Sequence, residues 1–118
     1  MESRAIQKYV STSPRKMRLV VDMVRGLPVE HAMSLLHFST KHASKVLEKV
    51  VRSAVTNLIN KDDTKKMDTA NIYIKEIKVD GGPVVKRMLP ASHGRAYRVR
   101  KRSNHITVVV AEKNNLTN

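Results

Sequence analysis

Residues 40–58 read TKHASKVLEKVVRSAVTNL, and this stretch decides the fold. Ala43, Val46, Leu47, Val50, Val51, Ala54, Val55 and Leu58 recur at the i, i+3, i+4, i+7 spacing of one helical face, so an amphipathic helix of about 18 residues is predicted. Thr40 stands where a capping hydroxyl belongs, while Lys45, Lys49 and Arg52 fall on the solvent side. In a chain of 118 residues, one domain's worth, a helix this long is the spine. The polar run Asn60, Lys61, Asp62, Asp63, Thr64, Lys65, Lys66 is expected to end it as a solvated loop.

Upstream, Ser13 is a good N-cap and Pro14 occupies the first helical position, where its missing N–H costs nothing. Met17, Val20, Val21 and Val24 follow at helical spacing, and Gly26 supplies a left-handed stop, which gives a helix over about 14–25. Pro28 can open a shorter helix whose stripe is Ala32, Leu35 and Leu36, broken at Phe38, Ser39 and Thr40. Residues 4–10 have no helical stripe and read as a short strand. Met17, Met23 and Met33 lie on or beside apolar stripes and are expected in the core.

Downstream the period changes to two. Ile72 and Ile74 share one parity and Ile77 and Val79 the other, so a bulge is expected near Lys75 and Glu76. Ile106, Val108 and Val110 alternate in a last strand, and 114–118 reads as a frayed tail. Between these strands lies a segment with turn formers Pro90, Ser92 and Gly94 near its middle, the pattern of one long β-hairpin continuing the sheet outwards over about 82–104. The whole is one α+β domain over 1–118: three helices, a sheet and a hairpin.

Charge is distributed unevenly. The net charge is +13, from 23 Lys and Arg against 10 Asp and Glu. Residues 81–105 carry Lys86, Arg87, Arg95, Arg98, Arg100, Lys101 and Arg102 with no acid; residues 1–18 carry Arg4, Lys8, Arg15, Lys16 and Arg18 against Glu2 alone. The remainder is nearly balanced, so a neutral scaffold bears two basic attachments. An uncompensated basic run repels itself unless it meets a polyanion. The hairpin cannot lie on the helices either, because burying its cations unpaired would cost more than Val84, Val85, Met88, Leu89 and Val99 return. It should therefore project, with Arg98, Arg100 and Arg102 alternating at about 6.6 Å, a spacing suited to forked bonds with successive phosphates. Aromatics make up only 3% of the chain, with Tyr97 alone in the basic arm, so a shape-and-phosphate mode in folded RNA fits better than single-strand stacking.

Several chemistries are excluded. The absence of cysteine rules out disulfides, thiolate nucleophiles and Cys-held metal, and fits a reducing compartment. His31, His37, His42, His93 and His105 form no i, i+4 metal pair, no glycine-rich phosphate loop opens a helix, and Ser13 and Ser53 have no nucleophile context. No catalytic or metal site, and no cofactor, is expected. The longest apolar run, Val108 to Ala111, is far short of a membrane span, no secretory leader or transit peptide is expected, and the cytoplasm is the expected compartment. A free-standing DNA-binding or architectural protein is the alternative function, an RNA-processing enzyme a weaker one.

The same residues resemble a known family. Ser13-Pro14-Arg15-Lys16 with Arg18-Leu19-Val20 and Arg25-Gly26, Ser53-Ala54 and Asn57, Val79-Asp80 with Gly82-Pro83, Lys86-Arg87, Pro90, Gly94-Arg95-Ala96, and Lys101-Arg102 running to His105-Ile106-Thr107-Val108-Val109-Val110 together resemble bacterial large-subunit ribosomal protein twenty-two, over about residues 5–112. The resemblance implies helices packed on a three-stranded antiparallel sheet near the exit of the peptide tunnel, with the hairpin threaded through large-subunit ribosomal RNA. It implies a role early in subunit assembly, and neighbours that include large-subunit protein four and the nascent peptide. The RNA-binding set is then Arg4, Lys8, Arg15, Lys16, Arg18, Lys86, Arg87, Arg95, Tyr97, Arg98, Arg100, Lys101, Arg102 and His105. The tunnel-lining tip is Met88, Leu89, Pro90, Ala91, Ser92, His93 and Gly94. This chain departs from the family pattern at Ala91, Ser92 and His93, and at Gly81, which stands where relatives commonly carry Glu.

Overall fold

The computed structural model describes residues 2–61, 69–90 and 96–112, with the backbone alone for 69, 85–90 and 96–101. Strand β1 (Glu2–Val10) leads into α1 (Pro14–Val24), α2 (Val29–Phe38) and α3 (His42–Lys61); a 3-10 turn (Thr69–Asn71) then opens β2 (Ile72–Gly81), followed by β3 (Val85–Pro90), β4 (Ala96–Lys101) and β5 (Asn104–Glu112). The helices start and stop where local chemistry directs. Ser13 Oγ accepts from the Lys16 amide at 3.3 Å, and Gly26 takes a φ of 76° just past α1.

At α3 the sequence-based cap is corrected. The helix begins at His42 with Lys41, not Thr40, just before it; ahead of it Ser39 Oγ accepts from the Lys41 amide at 3.3 Å, a local turn, and from Ser44 Oγ at 2.8 Å. That second bond satisfies Ser44, a polar side chain buried on the apolar face of α3. The helix also runs on to Lys61, three residues beyond the last periodic position.

Three strands form an antiparallel sheet in the order β1-β5-β2, with β5, the last strand of the chain, in the centre. One face is covered by the helices. Met17, Val20, Val21 and Val24 of α1, Val29, Ala32 and Leu36 of α2, and Leu47, Val50, Val51, Ala54 and Leu58 of α3 bury against Ile72, Ile74, Ile77, Val79, Ile106, Val108 and Val110. The parity switch in β2 is resolved by a bulge between Ile74 and Glu76, which returns Ile77 and Val79 to the core face. Two expected core residues lie elsewhere: Met23 and Leu35 are exposed, because α1 and α2 each turn only one narrow stripe inward. The polar run from Asp62 onward and the tail at 114–118 fall outside the described residues.

Side chains from the helices close both open edges of the sheet. Arg18 Nη2 donates to the Val79 carbonyl at 3.1 Å and Arg25 Nη1 to the Ile77 carbonyl at 3.0 Å, alternate groups of edge strand β2. The turn after α1 joins in, with the Ile74 amide donating to the Leu27 carbonyl at 3.0 Å. On the opposite edge, Asn57 Nδ2 donates to the Arg4 carbonyl at 3.2 Å and Lys61 Nζ to the Glu2 carbonyl at 3.0 Å. Edge strands left with free backbone groups recruit other chains, and these contacts occupy them.

Candidate nucleic-acid interface

Beyond Gly81, which pairs with Asn104, the sheet ladder stops and a separate two-stranded ladder of β3 and β4 begins. The hairpin expected to continue the sheet outwards is thus a ladder of its own, set off from the sheet at Gly82 and Pro83. Between the two ladders the Gly82 amide donates to the Ser103 carbonyl at 2.9 Å and Ser103 Oγ to the Pro83 carbonyl at 2.8 Å, so the chains stay side by side across the break. Pro83 brings no N–H of its own, which accounts for a ladder failing at this point.

In the β3–β4 ribbon Lys86 stands opposite Arg100, Arg87 opposite Val99, Met88 opposite Arg98, Leu89 opposite Tyr97 and Val85 opposite Lys101. Arg98 and Arg100 thus hold alternate ladder positions as expected, whereas Arg102 lies exposed in the break and not in the ladder. Pro90 is paired with Ala96 at the end of the ribbon. Ala91, Ser92, His93, Gly94 and Arg95 fall outside the described residues. Asn104, assigned from sequence to the margin of the hairpin, is a buried residue of β5.

Part of the second basic cluster lies on chain that is tied to the root of this ribbon. Asn104 Nδ2 donates to the Thr12 carbonyl at 2.6 Å and to Thr12 Oγ1 at 2.9 Å, which ties the start of α1 to the start of β5 across 92 residues of sequence. Arg15 and Lys16 are exposed on the first turn of α1, and Arg102 is exposed two residues from Asn104. Two basic segments remote in sequence are therefore joined at one place. A groove of about 520 Å³ opens beside them, lined by Ser13, Lys16, Leu19, Lys41 and His42 among others, with no carboxylate in its wall. Arg4 and Lys8 are exposed along β1. Arg18 is drawn partly into the scaffold through its bond to Val79.

His105 and Tyr9 form a pair that sequence reasoning missed on the Tyr9 side. His105 Nδ1 accepts from the Tyr9 amide at 3.0 Å, and the two rings meet edge to face with centroids 5.0 Å apart. Residues 4–10 carry no periodic signal, so nothing local marks Tyr9 out. Among the described residues no group of three or more His, Asp or Glu side chains could hold a metal ion, and no helix is long and apolar enough to cross a membrane.

A scan against protein-family models matches residues 5–111 to the ribosomal protein L22p/L17e family. The chain belongs to that family. It is 53% identical over 104 residues to the large ribosomal subunit protein uL22 of Flavobacterium johnsoniae, covering 88% of this chain and 76% of the relative. The uL22 of Bacteroides fragilis is 50% identical over 106 residues, 90% of this chain and 77% of the relative. That of Chlorobaculum tepidum is 47% identical over 115 residues, 98% and 97% of the two chains. The ribosomal protein L22p/L17e family is one of structural ribosomal components and not of enzymes, in keeping with the three-helix, three-strand scaffold and its basic ribbon.

Proposed function

We propose that this chain is a cytoplasmic structural constituent of the bacterial large ribosomal subunit, that it binds large-subunit ribosomal RNA through its ribbon and the cluster at the ribbon's root, and that the ribbon lines the nascent-peptide tunnel. The observation that carries this reading is the second ladder: two strands without a helix layer of their own, bearing Lys86, Arg87, Arg98, Arg100 and Lys101. Such a ribbon is marginal alone in water and needs a wall to lie against. A wall of phosphate suits five cations without an acid. The molecule's long axis of 69 Å, against 25 and 20 Å across, supports a ribbon that projects from the scaffold. On this reading Met88 to Gly94 meet the nascent peptide and large-subunit protein four, and early binding to several RNA segments aids subunit assembly.

Salt dependence tests the phosphate contacts. Replacing Arg98, Arg100 and Arg102 by Gln should weaken binding to large-subunit ribosomal RNA and lower the slope of log K against log salt by about 0.7–0.9 for each phosphate no longer neutralised. An unchanged slope with unchanged affinity would remove these arginines from the interface.

A further inference from the structure

Tyr9 is held in a conformation that a tyrosine rarely adopts. Along the β1–β5 ladder Gln7 pairs with Ile106 and Val10 with Asn104, so Lys8 and Tyr9 together face only His105. This two-against-one arrangement is a β-bulge, and at it Tyr9 has a φ of 58°, the left-handed region where glycine or asparagine sits with least strain. The strained backbone is clamped by the bond from the Tyr9 amide to His105 Nδ1, and the ring by its edge-to-face contact with the same imidazole.

The clamp does not serve the core. Tyr9 is 67% exposed. A fold that only needed a bulge here would use glycine; instead it fixes a large aromatic ring, pre-positioned, in solvent. Exposed Lys8 precedes it, and exposed Arg102 lies two residues from the Asn104 that pairs with Val10. The nearest acid in the ladder is Asp80, opposite His105 on the far side of β5. A fixed, exposed aromatic ring, with basic residues next to it in the chain and close to it in register, is suited to stack an unpaired nucleobase while charges hold its phosphates.

We infer that Tyr9, clamped by His105, is a stacking platform for an unpaired base of ribosomal RNA at the root of the ribbon. The inference rests on the RNA-binding reading above and adds to it a base contact outside the ribbon. Tyr9 acts through its ring face; His105 is a positioning residue.

The test uses the full chain with large-subunit ribosomal RNA transcribed in vitro. Tyr9→Gly removes the ring and relieves the backbone, so its melting temperature should equal or exceed that of the parent, while its affinity falls about tenfold with an unchanged salt slope. Tyr9→Phe should bind as the parent does. The chain has no tryptophan, so Tyr9→Trp adds a lone reporter whose fluorescence RNA should quench, whereas Phe38→Trp, at the exposed end of α2, should keep its emission. Tyr9→Gly binding within twofold of the parent would overturn the inference, as would a loss in Tyr9→Phe equal to that in Tyr9→Gly. If Tyr9→Gly bound RNA normally yet dropped out of assembled subunits, the ring would meet a protein and the inference would fall. Failure of the parent chain itself to bind RNA would instead overturn the RNA-binding reading.

Discussion

Gly82 sits where a side chain has no room: a Cβ there would lie 2.5 Å from Ser103 Oγ, 3.2 Å from the Ser103 carbonyl carbon and 3.3 Å from His105 Cε1. Moving Ser103 aside would break its bond to Pro83, so Gly82→Ala should destabilise the fold by about 1–3 kcal/mol and loosen the ribbon's root. Gly26 is the contrasting case, with open space around it but a φ of 76°; Gly26→Ala should cost about 1 kcal/mol from backbone strain alone. Thermal melts of the two variants check both figures. Exposed Glu2 and Lys75 form a 2.6 Å ion pair in which the hydrogen bond and charge of Lys75 hold the Glu2 carboxyl below its ordinary value, and those of Glu2 raise the Lys75 ammonium. The pair's contribution is therefore present above the ordinary carboxylate pKa and lost as pH falls through Glu2's lowered one. At alkaline pH it is complete below the ordinary lysine pKa and lost as pH rises through Lys75's raised one. For so exposed a pair the expected effect is a small acid-side decline in melting temperature that Glu2→Gln abolishes. Residues whose roles are set by their immediate neighbours, such as Ser13, Pro14 and Gly26, were legible from sequence. Arg18, Arg25, Asn57 and Lys61 were not, because each closes a sheet edge more than 50 residues away.

Elements differ in how much of themselves they reveal. Helix α3 was legible along nearly its whole length because one face carries the pattern, and Val50→Asp places an unpaired charge on that face. It should cost several kcal/mol, against the roughly 5–15 that hold a domain together, and abolish the cooperative melt. The bulge in β2 was legible too, since a parity switch between isoleucines cannot be accommodated otherwise. The bulge in β1 was not: Lys8 and Tyr9 give no alternation to be broken, and only pairing with β5, nearly a hundred residues on, creates the two-against-one mismatch. Edge strand β2 gives a further expectation. Arg18→Ala and Arg25→Ala each remove a donor from an edge carbonyl, worth about 1 kcal/mol for such half-exposed guanidiniums, and the double variant should melt lower and associate through the freed edge. Light scattering on heating reads the second effect. For the ribbon, amides of 85–89 and 96–101 should exchange faster in the RNA-free chain than those of α3, whereas Asn104, buried in β5, should exchange with the scaffold.

At the scale of the whole molecule, a nearly neutral scaffold presents a basic ribbon and, through the Asn104–Thr12 bonds, ties to its root the chain that leads into Arg15 and Lys16. The uneven charge announced a polyanionic partner before any fold was known, since seven cations without an acid have few other uses. What sequence could not show was that the two clusters converge, because a side-chain amide on one strand joins them to a loop at the other end of the chain. Crosslinking from the ribbon in translating ribosomes tests the central claim most directly. With a photoreactive group at Leu89, one step from the Pro90–Ala96 end of the ladder, irradiation of ribosomes holding a labelled nascent chain should join the protein to large-subunit ribosomal RNA and to that chain. Ribosomes that contain the protein but yield neither product would contradict a ribbon lodged in the tunnel wall.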